Sequence, residues 1–208
     1  MLKGVKNILF DLGGVLFHID YQRTINAFKS LGLDNFEKFF TQHQQIYLFD
    51  SFETGKINSE LFVKKIQEFL PDSSDKEIID AWNAMLIGLP TDYLKLLDDL
   101  SKNYNLYLLS NSNDIHIQFV SEFMQKKLNI PSINQFFEKT YYSQKIGMRK
   151  PHKSTFEWVL NDANILAEET LFIDDTYQHV EGAKQVGLKT HHLKSNSAII
   201  SLFLDKAQ

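Results

Sequence analysis

Five short runs rich in apolar and β-branched residues, with helical patterns between them, constrain this chain more than any other feature. They are Lys6–Asp11 (KNILFD), Asn105–Ser110 (NLYLLS), Lys139–Ser143 (KTYYS), Thr170–Asp174 (TLFID) and Leu188–Leu193 (LKTHHL). Several are apolar at consecutive positions rather than alternate ones, the pattern of strands buried on both faces of a parallel sheet. Helical patterns cover Thr91–Lys102, Asp114–Lys127, Pro151–Asn161 and Tyr177–Gln185. Strand then helix, repeated, predicts an α/β fold with a doubly wound, five-stranded parallel sheet. Helix punctuation points the same way: Pro151 suits a first helical position, Thr176 can cap the helix that Gly187 follows, and Ser112 to Asp114 supplies further caps.

The interval between the first and second strands is far longer than one crossover helix requires. It carries helical stretches at Tyr21–Leu31, Asn35–Phe49, Ser59–Leu70 and Asp75–Ile87, the last opened by a capping box, Ser74-Asp75-Lys76-Glu77. The chain therefore divides into a core, 1–16 and 89–208, and an inserted helical cap, 17–88. Ligands of open α/β sheets bind beyond the carboxyl ends of the strands, so an insertion leaving the first strand there is placed to be a lid.

Composition removes several classes of function. The sequence has no cysteine, which excludes disulfides, thiolate metal sites and a thiol nucleophile. Its 22 basic and 26 acidic residues give a net charge of −4, evenly dispersed, without the basic stripe a nucleic-acid binder needs. No stretch approaches the roughly 18–20 uninterrupted apolar residues of a membrane span. Met1 to Lys6 runs into the first strand without a secretory signal's apolar region, so a cytoplasmic protein, monomer or homodimer, is expected.

Chemistry concentrates at the strand ends. Ile8-Leu9-Phe10-Asp11-Leu12-Gly13-Gly14 closes a buried strand on a carboxylate and turns through two glycines, which let backbone N–H groups approach an anion. Ser110-Asn111-Ser112-Asn113 ends the second strand on hydroxyls and amides ahead of a helix, a cup for an anion or an ordinary N-cap. Lys150 stands just before a helix start, where the macrodipole disfavours a cation, and reads better as a phosphate partner than as a solvated charge. Asp174 and Asp175 end the fourth strand. Close to Asp11 they would repel by about 4 kcal/mol per pair at an effective dielectric of 20, and so need a cation or serve as a helix cap. Oxygen ligands without cysteine favour a hard ion such as Mg²⁺.

In this order, Asp11, Ser110, Lys150 and Asp174/Asp175 resemble the four motifs of the haloacid dehalogenase-like hydrolase superfamily, across nearly the whole chain. FDLGGVLFHID, LLSNSN, SQKIGMRKP and FIDDTYQHVEGAKQVG are similar to its α-D-glucose-1-phosphate phosphatase-like branch. The resemblance implies a Rossmannoid core and a phosphatase acting on a small phosphorylated metabolite, such as a hexose 1-phosphate. It implies that Asp11 attacks phosphorus to form an aspartyl-phosphate. Ser110 and Asn111 would hold the phosphoryl oxygens, and Lys150 would neutralise nucleophile and phosphate. Asp11, the Gly13 carbonyl, Asp175 and Asp174 would hold Mg²⁺.

One position departs from the superfamily. Phosphatases of this kind usually carry a second Asp two residues after the nucleophile, to protonate the leaving oxygen, and Gly13 occupies that position here. The glucose-1-phosphatase-like branch shares the glycine. His18 and Asp20 are the nearest titratable candidates for the missing acid, against a plain role at the cap hinge. Two other readings remain: a 2-haloacid dehalogenase, against which the acid pair argues, and a phosphate-binding module without turnover. His191 and His192 are adjacent on a strand, point to opposite faces and cannot chelate one metal together. Aromatic residues of Phe36–Phe52 read as cap core, with Tyr47, Phe49 or Phe52 as alternatives for a pocket wall. Glu53 to Ile57 reads as a turn with solvated charges.

Overall fold

The computed structural model describes residues 2–34, 36, 47–195 and 198–204. Its strands are β1 (Asn7–Phe10), β2 (His18–Ile19), β3 (Leu86–Gly88), β4 (Asn105–Ser110), β5 (Lys139–Tyr142), β6 (Thr170–Asp174) and β7 (Lys189–His192). Helices α1 (Tyr21–Ser30), α2 (Tyr47–Glu53), α3 (Ser59–Gln67) and α4 (Asp75–Asn83) lie between β2 and β3. Then follow α5 (Thr91–Ser101), α6 (Asp114–Leu128), α7 (Ser143–Ile146), α8 (Lys153–Ala163), α9 (Tyr177–Lys184) and α10 (Ala198–Leu204).

The five strands expected from the sequence form one sheet in the order β5-β4-β1-β6-β7, every neighbouring pair parallel. Consecutive apolar residues divide between two cores because side chains alternate across a strand. Ile8, Phe10, Leu106, Leu108 and Ile173 face one cluster, with Leu97 of α5, Val120 of α6 and Ile199 of α10. Leu9, Tyr107, Leu109 and Phe172 face the other, with Phe156 and Val159 of α8 and Ala183 of α9. Each fully buried large side chain contributes about 1.5–3 kcal/mol relative to exposure, which selects this register over one shifted by a residue.

The helices between β2 and β3 pack around a separate apolar cluster built on Phe28, Phe36, Phe49, Phe52, Phe62 and Trp82, to which α6 adds Ile115. Phe49 stacks on Trp82 at 5.4 Å between ring centres, and Phe52 on Phe62 at 4.3 Å. The capping box of α4 forms: Ser74 Oγ accepts from Glu77 N, and Glu77 Oε2 accepts from Ser74 N at 2.8 Å. Among the described residues, no helix is long and apolar enough to cross a membrane.

Three local expectations change. The helix expected to run to Ile87 ends at Asn83, because Thr24 Oγ1 takes the Met85 N–H and Met85 O accepts from Asp20 N. The chain then pairs antiparallel with β2 as β3, so His18–Ile19 and Leu86–Gly88 form a two-stranded neck that no period in the sequence announces. Pro151 is not the first residue of its helix, since the turn from Arg149 O to His152 N delays the start to Lys153. Thr176 holds the N-cap position of α9 without a side-chain capping bond. The stretch expected to be helical over Asn35–Phe49 lies mostly outside the described residues.

Candidate active site

The central strand aims the first acid. Phe10 pairs with Ile173 on one side and Leu108 on the other, so one residue further on Asp11 reaches the rim beside Asp174, its N–H bonded to Ile173 O at 2.9 Å. Lys150 Nζ lies between them, 2.9 Å from Asp11 Oδ1 and 2.7 Å from Asp174 Oδ2. The lysine is wholly buried, with Phe172 beneath the ammonium at 5.5 Å. Asn111 fixes the lysine's backbone: its amide donates to Lys150 O and its carbonyl accepts from Lys150 N, both at 2.9 Å. The Asn111 carboxamide is therefore engaged, and the Ser110 hydroxyl, in the cavity wall, donates to Asn111 O at 3.4 Å.

Asp174 gathers further donors. Its Oδ1 accepts from Thr176 N at 2.8 Å, and His179 Nδ1 lies 3.0 Å from Oδ2. Burial pushes its carboxyl up, but Lys150 and His179 prevail and hold it well below the usual carboxylate range. Asp11 goes the other way: burial pushes it up, and the charges of Asp174 and Asp175 add to that against the pull of Lys150. Burial, then the charge of Asp174, pushes Asp175 up to about 6. Three carboxylates thus share one ammonium. Lys150 itself stays protonated, because Asp11 and Asp174 outweigh the desolvation that opposes its charge.

This imbalance tests whether the residues suit a cation. Ligand atoms of Asp11, Asp174 and His179 lie within 4.8 Å of one another. Asp174 and His179 already bond each other, and Lys150 occupies Asp174 Oδ2, so Asp11 and Asp175, both pushed upward, are the carboxylates that gain from added positive charge. Asp175 sits against Gly14, where φ is +78° and a Cβ would overlap its carboxylate; His192 Nε2–H donates to Asp175 O at 2.9 Å and steadies the turn. A rim of hard oxygens fits a divalent ion of the Mg²⁺ kind.

A cavity of about 100 Å³ opens over these groups. Asp11, Gly13, Ser110, Asn111 and Asp175 line its floor, and Tyr21, Glu53, Trp82 and Met85 of the insertion line its roof. The two acids proposed from the sequence to replace the one missing at Gly13 stand elsewhere. His18 Nε2 pairs with the Tyr93 hydroxyl at 3.3 Å, and the exposed Asp20 caps α1 through Gln22 N. Phe49 and Phe52 are buried in the insertion's cluster, and Tyr47 is exposed.

Several wall residues escaped the sequence reading. His116 stacks on Trp82, ring centres 4.9 Å apart and planes within 7°, and its Nδ1 lies 2.9 Å from Asn83 Oδ1. Trp82 Nε1–H reaches Asn113 Oδ1 at 3.3 Å. Glu53, expected to be solvated, is buried and ion-paired to Arg149. His179 follows Asp174 within FIDDTYQH, in the first turn of α9; a donor at that spacing beside a buried acid was the available signal.

A strand-end carboxylate on a buried lysine, at the carboxyl rim of a parallel sheet and roofed by an inserted helical segment, defines a Rossmannoid α/β hydrolase. The chain belongs to the haloacid dehalogenase-like hydrolase family, whose model matches residues 8–192. It is 29% identical over 187 residues, 89% of this chain and 90% of the other, to a D-ribitol-5-phosphate phosphatase of Bacteroides thetaiotaomicron. A crystal structure of a HAD family enzyme from Bacteroides thetaiotaomicron, an aspartate-to-alanine mutant in complex with magnesium and inorganic phosphate, superposes with a TM-score of 0.90. That protein is 38% identical, over 96% of this chain and 98% of its own. A 2-haloacid dehalogenase from Pseudomonas syringae, 14% identical over 98% of this chain and all of its own, shares the fold at a TM-score of 0.60.

Proposed function

We propose that this hydrolase is a Mg²⁺-dependent phosphatase of a small, hydroxylated phosphate monoester, a phosphorylated polyol or sugar. The observation that carries the reading is Lys150 Nζ, wholly buried between Asp11 and Asp174 at 2.9 and 2.7 Å. A lysine so placed can neutralise a carboxylate nucleophile and an incoming phosphate dianion at once. The Bacteroides thetaiotaomicron relative named a D-ribitol-5-phosphate phosphatase, and the magnesium and phosphate in the Bacteroides crystal structure, support the substrate class and the ion.

Asp11, Asp175 and the Gly13 carbonyl would hold the cation, with Asp174 bound to Lys150 beside them. When bound, Mg²⁺ would add positive charge against the phosphoryl oxygens and the acids. Asp11 Oδ1 already accepts the Leu12 N–H at 2.7 Å and Lys150, which fixes the carboxylate plane and leaves Oδ2 to attack phosphorus in line. The step forms an aspartyl-phosphate and releases the alcohol oxygen, and water then cleaves the acyl phosphate. Ser110 Oγ would donate to a phosphoryl oxygen. Gly13 offers no carboxyl group to protonate the leaving oxygen, and Glu53 in the cavity roof is ion-paired to Arg149.

Dehalogenation is disfavoured by the three clustered carboxylates, which repel a carboxylate substrate. Phosphate release from a panel of hexose 1-phosphates, D-ribitol 5-phosphate and p-nitrophenyl phosphate, with Mg²⁺ and with EDTA, tests the proposal. Mg²⁺-dependent release from a polyol or sugar phosphate is the expected result; no release from any member would end it. Phosphate binding without turnover would favour the non-catalytic reading.

A further inference from the structure

Arg149 and Lys150 are consecutive, and their side chains serve opposite sides of the cavity. Lys150 runs to Asp11 and Asp174 on the core. Arg149 runs to α2 of the insertion, with Nη1 3.0 Å from Asp50 Oδ1 and Nη2 3.0 Å from Glu53 Oε2. Asp50 and Glu53 are three residues apart, one helical turn, so a planar guanidinium spans both in a way an ammonium could not. The Arg149 and Glu53 side chains are only 16% and 11% exposed, so solvent screens the pair weakly.

The segment that carries both cations is held firmly. Asn111 bonds the Lys150 backbone on both sides, and Thr155 Oγ1 donates to Arg149 O at 2.7 Å. A second contact joins the same two parts: the turn after α2 brings Gly55, with φ +69°, so close to Gln144 O that a Cβ would overlap it. Arg149 and Glu53 also line the cavity that contains Asp11.

We propose that Arg149 is a positioning residue that latches α2 onto the loop bearing Lys150, so that the roof of the cavity closes in register with the lysine and its nucleophile. Its effect on turnover rests on the phosphatase reading above; the latch itself does not. Closure matters chemically because a displaced roof admits water and lets the leaving group wander, and small misplacements of this kind cost up to about 100-fold in rate.

The test uses the full-length protein and two readouts. Hydrogen exchange of residues 47–57, measured without substrate, reports the latch even if p-nitrophenyl phosphate is not turned over. Steady-state kinetics with that ester, across a Mg²⁺ titration, report positioning. In Arg149→Gln, exchange of α2 is expected to accelerate at least tenfold while β1, β4 and β6 stay protected. The same variant should lose about 10- to 100-fold in kcat, with the Mg²⁺ activation constant unchanged. Asp50→Asn combined with Glu53→Gln removes the same contact from the other side and should reproduce both effects, which covers failure of the arginine variant to fold. Arg149→Lys should recover only part of the rate, since one ammonium cannot hold both acids. Unchanged exchange overturns the latch, and faster exchange with wild-type kcat overturns the positioning role.

Discussion

Asp174 and Lys150, both wholly buried, form an ion pair of 2.7 Å at the rim of the central strands. Breaking a buried pair from one side leaves an uncompensated charge, which typically costs about 3–5 kcal/mol. Lys150→Met is therefore expected to lower unfolding stability by that amount and to abolish turnover. Lys150→Met with Asp174→Asn should lose at least about 1 kcal/mol less than the sum of the single changes, because the partners share one interaction. Urea unfolding of the four proteins checks this; strict additivity would show that the pair is not coupled.

Asp11 presents the opposite balance. Its carboxylate is buried beside Asp174 and Asp175, and Lys150 is shared with a neighbour that holds it more strongly. An amide of the same shape can still accept from Leu12 N and Lys150 without adding a third negative charge. Asp11→Asn is expected to remove turnover and to raise stability in EDTA by about 1 kcal/mol, as strained functional groups often do when neutralised. Destabilisation of this variant in EDTA would show that the nucleophile is not electrostatically frustrated.

The residues legible in the sequence are those whose signal is local. Strands such as NILF and TLFID announce themselves by consecutive apolar residues, and Asp11, Lys150 and Asp174 by standing where those strands or the loops beside them end. The parallel sheet then brings the three together without further information, since register alone sets Asp11 next to Asp174. What escaped depends on partners remote in the chain. Glu53 looks like a solvated turn charge until Arg149, nearly a hundred residues later, reaches it. Strands β2 and β3 are two and three residues long and exist only because they pair with each other. His116 reads as one polar residue on a helix until Trp82 of the insertion lies over it.

Gly13 offers a gain-of-function experiment. Its backbone is not in the left-handed region, and an added Cβ would meet Ile19 Cδ1 at 3.5 Å, an ordinary contact. Gly13→Asp should therefore fold and set a carboxyl group in the cavity wall. Proton transfer to the leaving oxygen is worth roughly 10² to 10⁴ in rate, and only where that oxygen is a poor leaving group. The variant is expected to raise kcat on alkyl phosphates by about tenfold or more while p-nitrophenyl phosphate changes little. Equal effects on both esters would mean that protonation does not limit the reaction.

His116 gives the fold a dependence on acid. Burial beneath Trp82 pushes its imidazole down to about 3, from an ordinary value near 6.5. The unfolded chain therefore takes up a proton below pH 6.5 that the folded chain refuses, so this group subtracts stability as pH falls and adds nothing above pH 7. The loss reaches at most about 1.4 kcal/mol per pH unit between 6.5 and 3. His116→Gln keeps a side-chain amide that can donate to Asn83 Oδ1 and removes the titration. Urea midpoints from pH 8 to pH 4 should fall more steeply for the wild-type chain than for the variant, and the two curves should differ by a constant above pH 7. Parallel curves across the whole range would show that the imidazole is solvated and titrates alike in both states.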